Sequence, residues 1–172
     1  MRIETKRLII REFVPGDWQD VLQYTSDPLV MHYMPDQVYT EETVKQFLKD
    51  NQGDQVRNYA VVLPNEQRVI GHIVFFPWFG EHTYEIGWIF NSAYHGKGYA
   101  TEAARALLQY GFETLGIHRL IATCQPENTP SYRVMEKLGM RREGYFKECI
   151  PHGNSWWDEY FYAMLASEWR MA

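Results

Sequence analysis

A glycine-rich segment carries the chemistry that is most easily read from this chain: Tyr94-His95-Gly96-Lys97-Gly98-Tyr99-Ala100-Thr101. Its two glycines lie between a predicted strand and an alanine-rich predicted helix. Glycine lets the backbone approach a ligand closely, and the first turn of a helix presents unpaired N–H groups at the positive end of its dipole. Such a turn suits a phosphate or pyrophosphate, and Lys97 can add positive charge. The alternative is a tight turn in which the glycines only relieve backbone strain.

Two common phosphate-binding motifs fit this segment poorly. A P-loop requires Ser or Thr directly after its lysine, whereas Gly98 follows Lys97 here. A dinucleotide-binding fingerprint requires a third glycine at the position of Thr101, and it begins directly after the strand, where five residues (91–95) intervene in this chain. A nucleotide-binding protein stays as an alternative, and it would bind ATP or NAD in preference to coenzyme A.

The sequence gives little support for a metal site or a nucleophilic cysteine. The six histidines show no metal-ligand spacing, and the two cysteines, Cys124 and Cys149, are far apart in the chain. We therefore expect no metal and no disulfide framework. Cys124 is interpreted as a buried strand residue rather than a nucleophile.

The composition predicts one globular domain over residues 1–172. The chain has 172 residues, 45% hydrophobic and 23% charged, which is the size of a single domain with one core. A net charge of −5 argues against a protein that mainly grips nucleic acid. No apolar run approaches the ~20 residues of a membrane span, and the N-terminus lacks the apolar stretch of a signal peptide. We expect a cytoplasmic protein without a membrane or nucleic-acid partner; a homodimer formed by exposed sheet edges stays open.

Strands and helices must position the glycine segment. Along the chain, sequence patterns typical of strands alternate with patterns typical of helices. Hydrophobic periodicity predicts the order β-α-α-β-β-β-α-β-α-β-β, which is a mixed α/β (α+β) fold with a seven-stranded sheet. Gly116 is the predicted end of the alanine-rich helix, and Thr129, followed by Pro130, is the predicted N-cap of the next helix. The predicted strands are Leu8–Ile10, Asn58–Leu63, Val69–Phe76, Thr83–Phe90, Arg119–Cys124, Tyr145–Ile150 and Trp157–Leu165.

Three motifs stand in a consistent order along the chain. His95, Gly98 and Ala100 match the spacing Gln/Arg-x-x-Gly-x-Gly/Ala, with histidine in place of Gln or Arg. Tyr84-Glu85-Ile86-Gly87-Trp88 precedes that loop, and Asn128-Thr129-Pro130-Ser131 follows it, with Glu136-Lys137-Leu138-Gly139-Met140 and Glu143-Gly144 farther on. The chain resembles the Gcn5-related N-acetyltransferase (GNAT) family over its whole length, and within it the ribosomal-protein N-terminal acetyltransferase branch.

The resemblance implies a GNAT-like acyl-CoA N-acyltransferase fold that binds acetyl-CoA. The mostly antiparallel seven-stranded sheet would splay between its fourth and fifth strands and be flanked by about four helices. Its fourth strand would pair with pantetheine through Trp88, Ile89 and Phe90. The pyrophosphate would lie on amides from His95 to Thr101, and Asn128 would orient pantetheine. Lys137, with Arg133, lies either toward the 3′-phosphate of the coenzyme or on a solvated helix face.

The resemblance also implies direct attack of an amine on the thioester through a tetrahedral intermediate. Glu85 is the candidate general base, acting directly or through water; the alternative is a solvent-facing or ion-paired glutamate. Many relatives protonate the leaving thiolate with a tyrosine seven residues after the asparagine, but that position is Met135, which cannot donate. Ser131, three residues after the asparagine, matches the serine of the ribosomal-protein branch, and the resemblance assigns it this role; the alternative is a hydrogen bond to the backbone of the first helical turn.

The sequence thus predicts an acetyl-CoA-dependent N-acetyltransferase. The expected acceptor is the α-amine of a protein N-terminus, as in the ribosomal-protein branch. A small-molecule amine, such as a polyamine, an amino acid derivative or an antibiotic, is the second hypothesis. A coenzyme A-binding module without turnover is the third, because Met135 replaces the usual tyrosine.

Overall fold

The structure is a computed structural model that describes residues 1–169. The chain forms two compact units. The first unit contains residues 1–76 and 88–106, and the second contains residues 77–87 and 107–169. Three elements pass from one unit into the other: a strand at residues 76–77, a second strand at residues 87–88 and a helix at residues 106–107.

In the first unit, neighbouring strands follow one another in the order β1-β2-β3-β4-β5. Strands β1 to β4 pair with their neighbours in antiparallel fashion. The elements are β1 (Arg2–Glu4), β2 (Ile9–Arg11), α1 (Trp18–Thr25), α2 (Pro28–Met31), α3 (Glu41–Asp50), β3 (Asn58–Leu63), β4 (Arg68–Pro77), β5 (Thr83–Phe90) and α4 (Tyr99–Gln109).

Two helices of the first unit, α2 and α3, begin at side-chain caps. The Thr40 hydroxyl accepts a hydrogen bond from the Thr43 N–H at 3.3 Å, and the Thr43 hydroxyl accepts one from the Thr40 N–H at 2.8 Å, which starts α3. Asp27 accepts from the Leu29 N–H at 2.9 Å and starts α2. The apolar faces of α1 and α3 meet the sheet in one core: Phe13, Val21, Tyr24, Val44, Leu48, Ala60, Val62, Val69 and Ile89.

Gly71 on β4 permits a close approach of β5. A Cβ atom at this position would lie 2.5 Å from the Ile89 carbonyl oxygen and 2.7 Å from the Phe90 ring. The Asn91 N–H then donates to the Ile70 carbonyl oxygen at 2.9 Å. The last residues of β5 are therefore held firmly against β4, directly before the glycine segment.

In the second unit, the strand order is β5-β6-β8-β7. Strand β5 is parallel to β6, with Thr83, Tyr84 and Glu85 opposite residues 119–121, whereas β8 is antiparallel to both of its neighbours. The elements are β6 (Arg119–Cys124), α5 (Thr129–Lys137), β7 (Arg141–His152), β8 (Ser155–Leu165) and α6 (Ala166–Trp169). A π-helical segment, Tyr110–Thr114, follows α4.

The mixed, mostly antiparallel fold is as predicted, but the number of strands was wrong. Residues 1–169 contain eight strands rather than seven, because Arg2–Glu4 forms an additional short strand beside β2. Three residues with one apolar side chain give too little pattern to reveal it. Within this range four helices have eight or more residues (α1, α3, α4 and α5), in agreement with the expected number.

Two helix ends also differ from the prediction. The α-helix expected to run to Gly116 ends at Gln109 and continues as the π-helical segment, after which Gly116 adopts φ +65°. Thr129, the predicted N-cap of α5, is its first helical residue, and Asn128 is the N-cap without a capping hydrogen bond from its side chain. Within the described residues, no helix combines the length and apolar character that a membrane crossing requires.

Candidate active site

The glycine segment of the first unit has the backbone geometry of an anion-binding turn. Gly96 and Gly98 adopt φ +74° and +80°, a left-handed region that glycine occupies without strain. The Glu102 N–H donates to the Gly98 carbonyl oxygen at 3.0 Å in the first turn of α4. The N–H groups of residues 99–101 precede this bond, so they have no partner within the helix. Residues 95–98 are exposed, which leaves this turn accessible to a ligand.

His95 fixes the path of this turn. Its Nε2–H donates to the Phe90 carbonyl oxygen at 2.8 Å, which ties the segment to the end of β5. The Lys97 ammonium lies over the Tyr94 ring, 5.1 Å from its centroid. A structural use of the His95 ring is therefore visible, whereas its contact with a coenzyme stays a prediction.

Arg7 reaches the same turn from the N-terminal segment, a contact that sequence reasoning missed. Its Nη1 donates to the Lys97 carbonyl oxygen at 3.0 Å, and its Nε donates to Glu102 Oε2 at 2.6 Å. Its guanidinium lies 4.4 Å from the centroid of the Tyr99 ring. About ninety residues separate these partners in the chain, so local spacing gave no signal of the contact.

Glu102 is the ionised partner in this network. The Thr5 hydroxyl donates to Glu102 Oε1 at 2.7 Å, and the Arg7 backbone N–H donates to the same oxygen at 2.9 Å. Burial opposes ionisation, but the hydrogen bonds from Thr5 and Arg7 outweigh it and lower the pKa of the Glu102 carboxyl.

In the second unit, Glu85 lies on β5 opposite Ile121 of β6. Its side chain is half-buried. Burial raises the pKa of the Glu85 carboxyl above its ordinary value, and the nearby Glu159 carboxylate raises it further. A carboxylate with a raised pKa is a stronger base than an exposed one, which suits proton abstraction near neutral pH.

The strand register places Glu159 on the sheet face that carries Glu85. Glu85 is opposite Ile121, which is opposite Ala163, and residues directly opposite each other point to the same face. Alternate residues along β8 share a face, so Phe161 and Glu159 follow Ala163 there.

Aromatic rings flank this acidic face. The Phe161 ring lies 5.7 Å from the Trp78 ring and 5.8 Å from the Phe146 ring. Trp78 and Phe146 are each about half exposed. The second unit thus presents two carboxylates bordered by three aromatic side chains, which can hold a cationic or amine-bearing group.

Asn128 and Ser131 lie at the junction of β6 and α5. The Ser131 N–H donates to the Asn128 carbonyl oxygen at 3.0 Å. The Ser131 hydroxyl is hydrogen-bonded to the Cys124 sulfur. Burial raises the pKa of the Cys124 thiol to about 12, against the opposing effect of this hydrogen bond, so the thiol is neutral at pH 7. A neutral thiol is a poor nucleophile, which agrees with the structural interpretation of Cys124.

Two further positions of α5, Met135 and Lys137, differ in their exposure. Met135 is buried, with 1% of its surface exposed. Lys137 is exposed in the last turn of α5, roughly 9 Å along the helix from Ser131. Among residues 1–169, no group of three or more His, Cys, Asp or Glu side chains is arranged to hold a metal ion.

Residues 7–141 match the family model for the acetyltransferase (GNAT) domain. The chain belongs to the GNAT family. It is 62% identical over 169 residues to the uncharacterized N-acetyltransferase YnaD of Bacillus subtilis (strain 168), covering 98% of this chain and 99% of that protein. The predictions of family and of an N-acetyltransferase are therefore confirmed, and an acetyl donor of the acetyl-CoA type is typical of the GNAT family.

Solved structures agree with the family assignment. The crystal structure of a GNAT-family acetyltransferase from Bacillus anthracis is 60% identical, covers 98% of this chain and 100% of its own, and superposes with a TM-score of 0.94. The [ribosomal protein uS5]-alanine N-acetyltransferase of Escherichia coli (strain K12) is 31% identical over 88 residues, which are 51% of this GNAT chain and 45% of that protein.

Proposed function

We propose that this GNAT enzyme acetylates the α-amine of a protein N-terminus, with acetyl-CoA as donor. The observation that carries acetylation of an amine is the acidic, aromatic-flanked face on which Glu85 has a raised pKa. The motif Asn128-Thr129-Pro130-Ser131 and the partial similarity to a ribosomal-protein alanine acetyltransferase support the choice of acceptor.

The turn at residues 95–101 has the features that a pyrophosphate requires. Its left-handed glycines leave the backbone open, and its N–H groups precede the first intrahelical bond. In this proposal the backbone of Trp88, Ile89 and Phe90 on β5 pairs with the pantetheine arm. In this proposal Asn128 orients that arm, since its side chain is not used as a helix cap.

Glu85 makes the acceptor amine nucleophilic. At pH 7 about one α-amine in seven is neutral, against roughly one lysine amine in a few thousand. Glu85 takes a proton from the amine, directly or through one water, while the nitrogen attacks the thioester carbonyl carbon. A raised pKa makes the Glu85 carboxylate a better acceptor for this proton.

Ser131 assists departure of the thiolate. When the tetrahedral intermediate collapses, the C–S bond breaks and its electron pair stays on sulfur. The Ser131 hydroxyl is assigned as the hydrogen-bond donor to that sulfur, because the buried Met135 has no proton to donate. The products are the amide and the coenzyme A thiolate, and the proton taken up by Glu85 is released to solvent.

Acetyl transfer to a matched set of acceptors tests this proposal. One peptide has a free N-terminus and no lysine, a second has a blocked N-terminus and one lysine, and spermidine is the third acceptor. Turnover of the first peptide alone supports N-terminal acetylation. Turnover of spermidine alone supports the second candidate, a small-molecule polycation, which the carboxylate pair Glu85 and Glu159 favours. Acetyl-CoA binding without turnover of any acceptor favours the non-catalytic module.

A further inference from the structure

We propose that Arg7 is a positioning residue that holds the glycine turn in its anion-binding conformation. The inference rests on the proposed use of that turn for the pyrophosphate of acetyl-CoA. Arg7 lies between β1 and β2, and its contacts with the turn and with α4 all lie inside the first unit.

The hydrogen bond to the Lys97 carbonyl oxygen sets the direction of the next amide. A trans peptide is planar, so its C=O and N–H point in opposite directions. Arg7 Nη1 fixes the Lys97 carbonyl at 3.0 Å, and the Gly98 N–H therefore points away from the guanidinium. Gly98 is exposed, so this N–H is directed to where an anion can reach it.

The Arg7 guanidinium lies close to Gly98 and Tyr99 of the turn. A Cβ atom at Gly98 would lie 3.6 Å from Arg7 Nη2, and the Tyr99 ring lies under the guanidinium at 4.4 Å. The turn is thus in contact with Arg7 on both sides of Gly98, at the Lys97 carbonyl oxygen and at the Tyr99 ring.

Glu102 fixes Arg7 in place and neutralises it. The carboxylate accepts hydrogen bonds from Arg7 Nε, the Arg7 N–H and the Thr5 hydroxyl. The Arg7 side chain is 40% exposed and that of Glu102 is 20% exposed. Because the guanidinium charge is already paired, the main effect of Arg7 on an anion is to orient backbone N–H groups.

Substitution of Arg7 by lysine removes the planar guanidinium, which donates from both Nε and Nη1, and keeps the positive charge. A single ammonium cannot reproduce the planar geometry with which Nε binds Glu102 and Nη1 binds Lys97. R7K should therefore raise the dissociation constant for acetyl-CoA about tenfold in calorimetry. It should leave the dissociation constant for S-acetyl-pantetheine, which lacks the pyrophosphate, within twofold of wild type in an NMR titration.

Two further variants and a control complete the test. E102Q should weaken acetyl-CoA binding in the same direction, and R7K/E102Q should be no weaker than the worse single variant, because both substitutions break one network. R2K is the matched control: Arg2 is exposed on β1 and pairs with Glu4 of the same strand, so its binding should equal wild type.

Amide hydrogen exchange reports the turn itself. Exchange in peptides covering residues 96–101 should accelerate in R7K, while exchange in β3 stays unchanged. Unchanged acetyl-CoA binding and unchanged exchange in R7K would overturn the inference. Equal weakening toward acetyl-CoA and S-acetyl-pantetheine, or faster exchange throughout the first unit, would also overturn it, since Arg7 would then support the fold in general. If wild type does not bind acetyl-CoA, the proposed function fails, and exchange at the turn still decides whether Arg7 holds it.

Discussion

On the sheet face of the second unit, the surroundings of Glu85 determine the pKa of its carboxyl group. It is half-buried and faces the charge of Glu159, and both effects raise its pKa. If Glu85 is the general base, E85Q should lower the rate of acetyl transfer by about 10²- to 10⁴-fold, because the amide cannot accept the proton. Acetyl-CoA binding, measured by calorimetry, should be unchanged. A rate within threefold of wild type would remove Glu85 from the mechanism.

Glu159 should control the pH dependence of the same reaction. The rate should rise with pH as the Glu85 carboxyl ionises, and E159Q removes one of the two causes that raise its pKa. The acidic limb of the pH–rate profile should therefore shift to lower pH in E159Q. E143Q is the matched control, because Glu143 pairs with Arg119 and Arg141 instead. An acidic limb at the same pH in wild type and E159Q would contradict the effect of Glu159 on the pKa of Glu85.

Among individual residues, the sequence identified those that belong to local motifs. It did not identify the residues that strand pairing or packing brings close to them in the structure. Glu85 and Ser131 were chosen because each stands in a recognisable short motif. Glu159 reaches the face of Glu85 only through the β5-β6-β8 register, and Arg7 reaches the turn only through packing of the first unit. The hydrophobic periodicity of the sequence detects neither the proximity of Glu159 to Glu85 nor the contact of Arg7 with the turn. The catalytic roles themselves stay predictions.

The turn between β5 and α4 depends on glycine because of its left-handed backbone. Alanine at Gly98 would have to adopt φ +80°, at a cost of roughly 1–2 kcal/mol. If G98A relieves this strain by leaving the binding conformation, the dissociation constant for acetyl-CoA should rise about tenfold in calorimetry.

Gly16 offers the matched control for G98A. It has open space around a built Cβ and no positive φ, so G16A should bind acetyl-CoA like wild type. Equal affinities of G98A and wild type would show that the conformation of this turn does not govern donor binding.

Elements with a long hydrophobic pattern were predictable, whereas two of the shortest elements, β1 and α2, were not. The periodicity of residues 99–109 and 119–124 revealed α4 and β6, whereas β1 has three residues and α2 has four. The start of α5 was shifted by one residue because both Asn128 and Thr129 are good N-cap residues, and the sequence offers no basis for choosing between them. The π-helical segment after α4 was not predicted because such segments are rare and have no hydrophobic period of their own.

Stability of the whole molecule should depend on pH through a buried histidine. His72 is buried in the first unit, with its Nδ1 2.8 Å from the Tyr24 hydroxyl, and burial lowers its pKa to about 4. In the unfolded chain the same group has its ordinary pKa of about 6.5. Between these values the unfolded state binds more protons, so the free energy of unfolding should fall as pH decreases from 6.5 to 4, by at most about 1.4 kcal/mol per pH unit from this group.

Chemical denaturation of wild type and H72Q at several pH values measures this contribution. H72Q is expected to be less stable than wild type at pH 7, and the difference between the two should shrink toward pH 4. A difference that is constant over this range would mean that His72 does not titrate on unfolding.

For the molecule as a whole, the sequence predicted the family and fold class, because motifs spread over the chain agree with one another. Residues 7–141 match the GNAT domain, and the B. anthracis structure covers 98% of the chain. A single domain over 1–172, a cytoplasmic location and a homodimer stay predictions, as does the acceptor. The acceptor depends on the shape of a surface that is assembled from distant segments, which spacing along the chain cannot specify.

A calorimetric titration of the purified protein with acetyl-CoA, with ATP and NADH as parallel titrants, tests the central claim most directly. The turn at residues 95–101 and strand β5 predict binding of one acetyl-CoA per chain and no comparable binding of ATP or NADH. Folded protein that fails to bind acetyl-CoA, or that binds ATP or NADH equally well, would contradict the assignment of this turn to the acetyl donor.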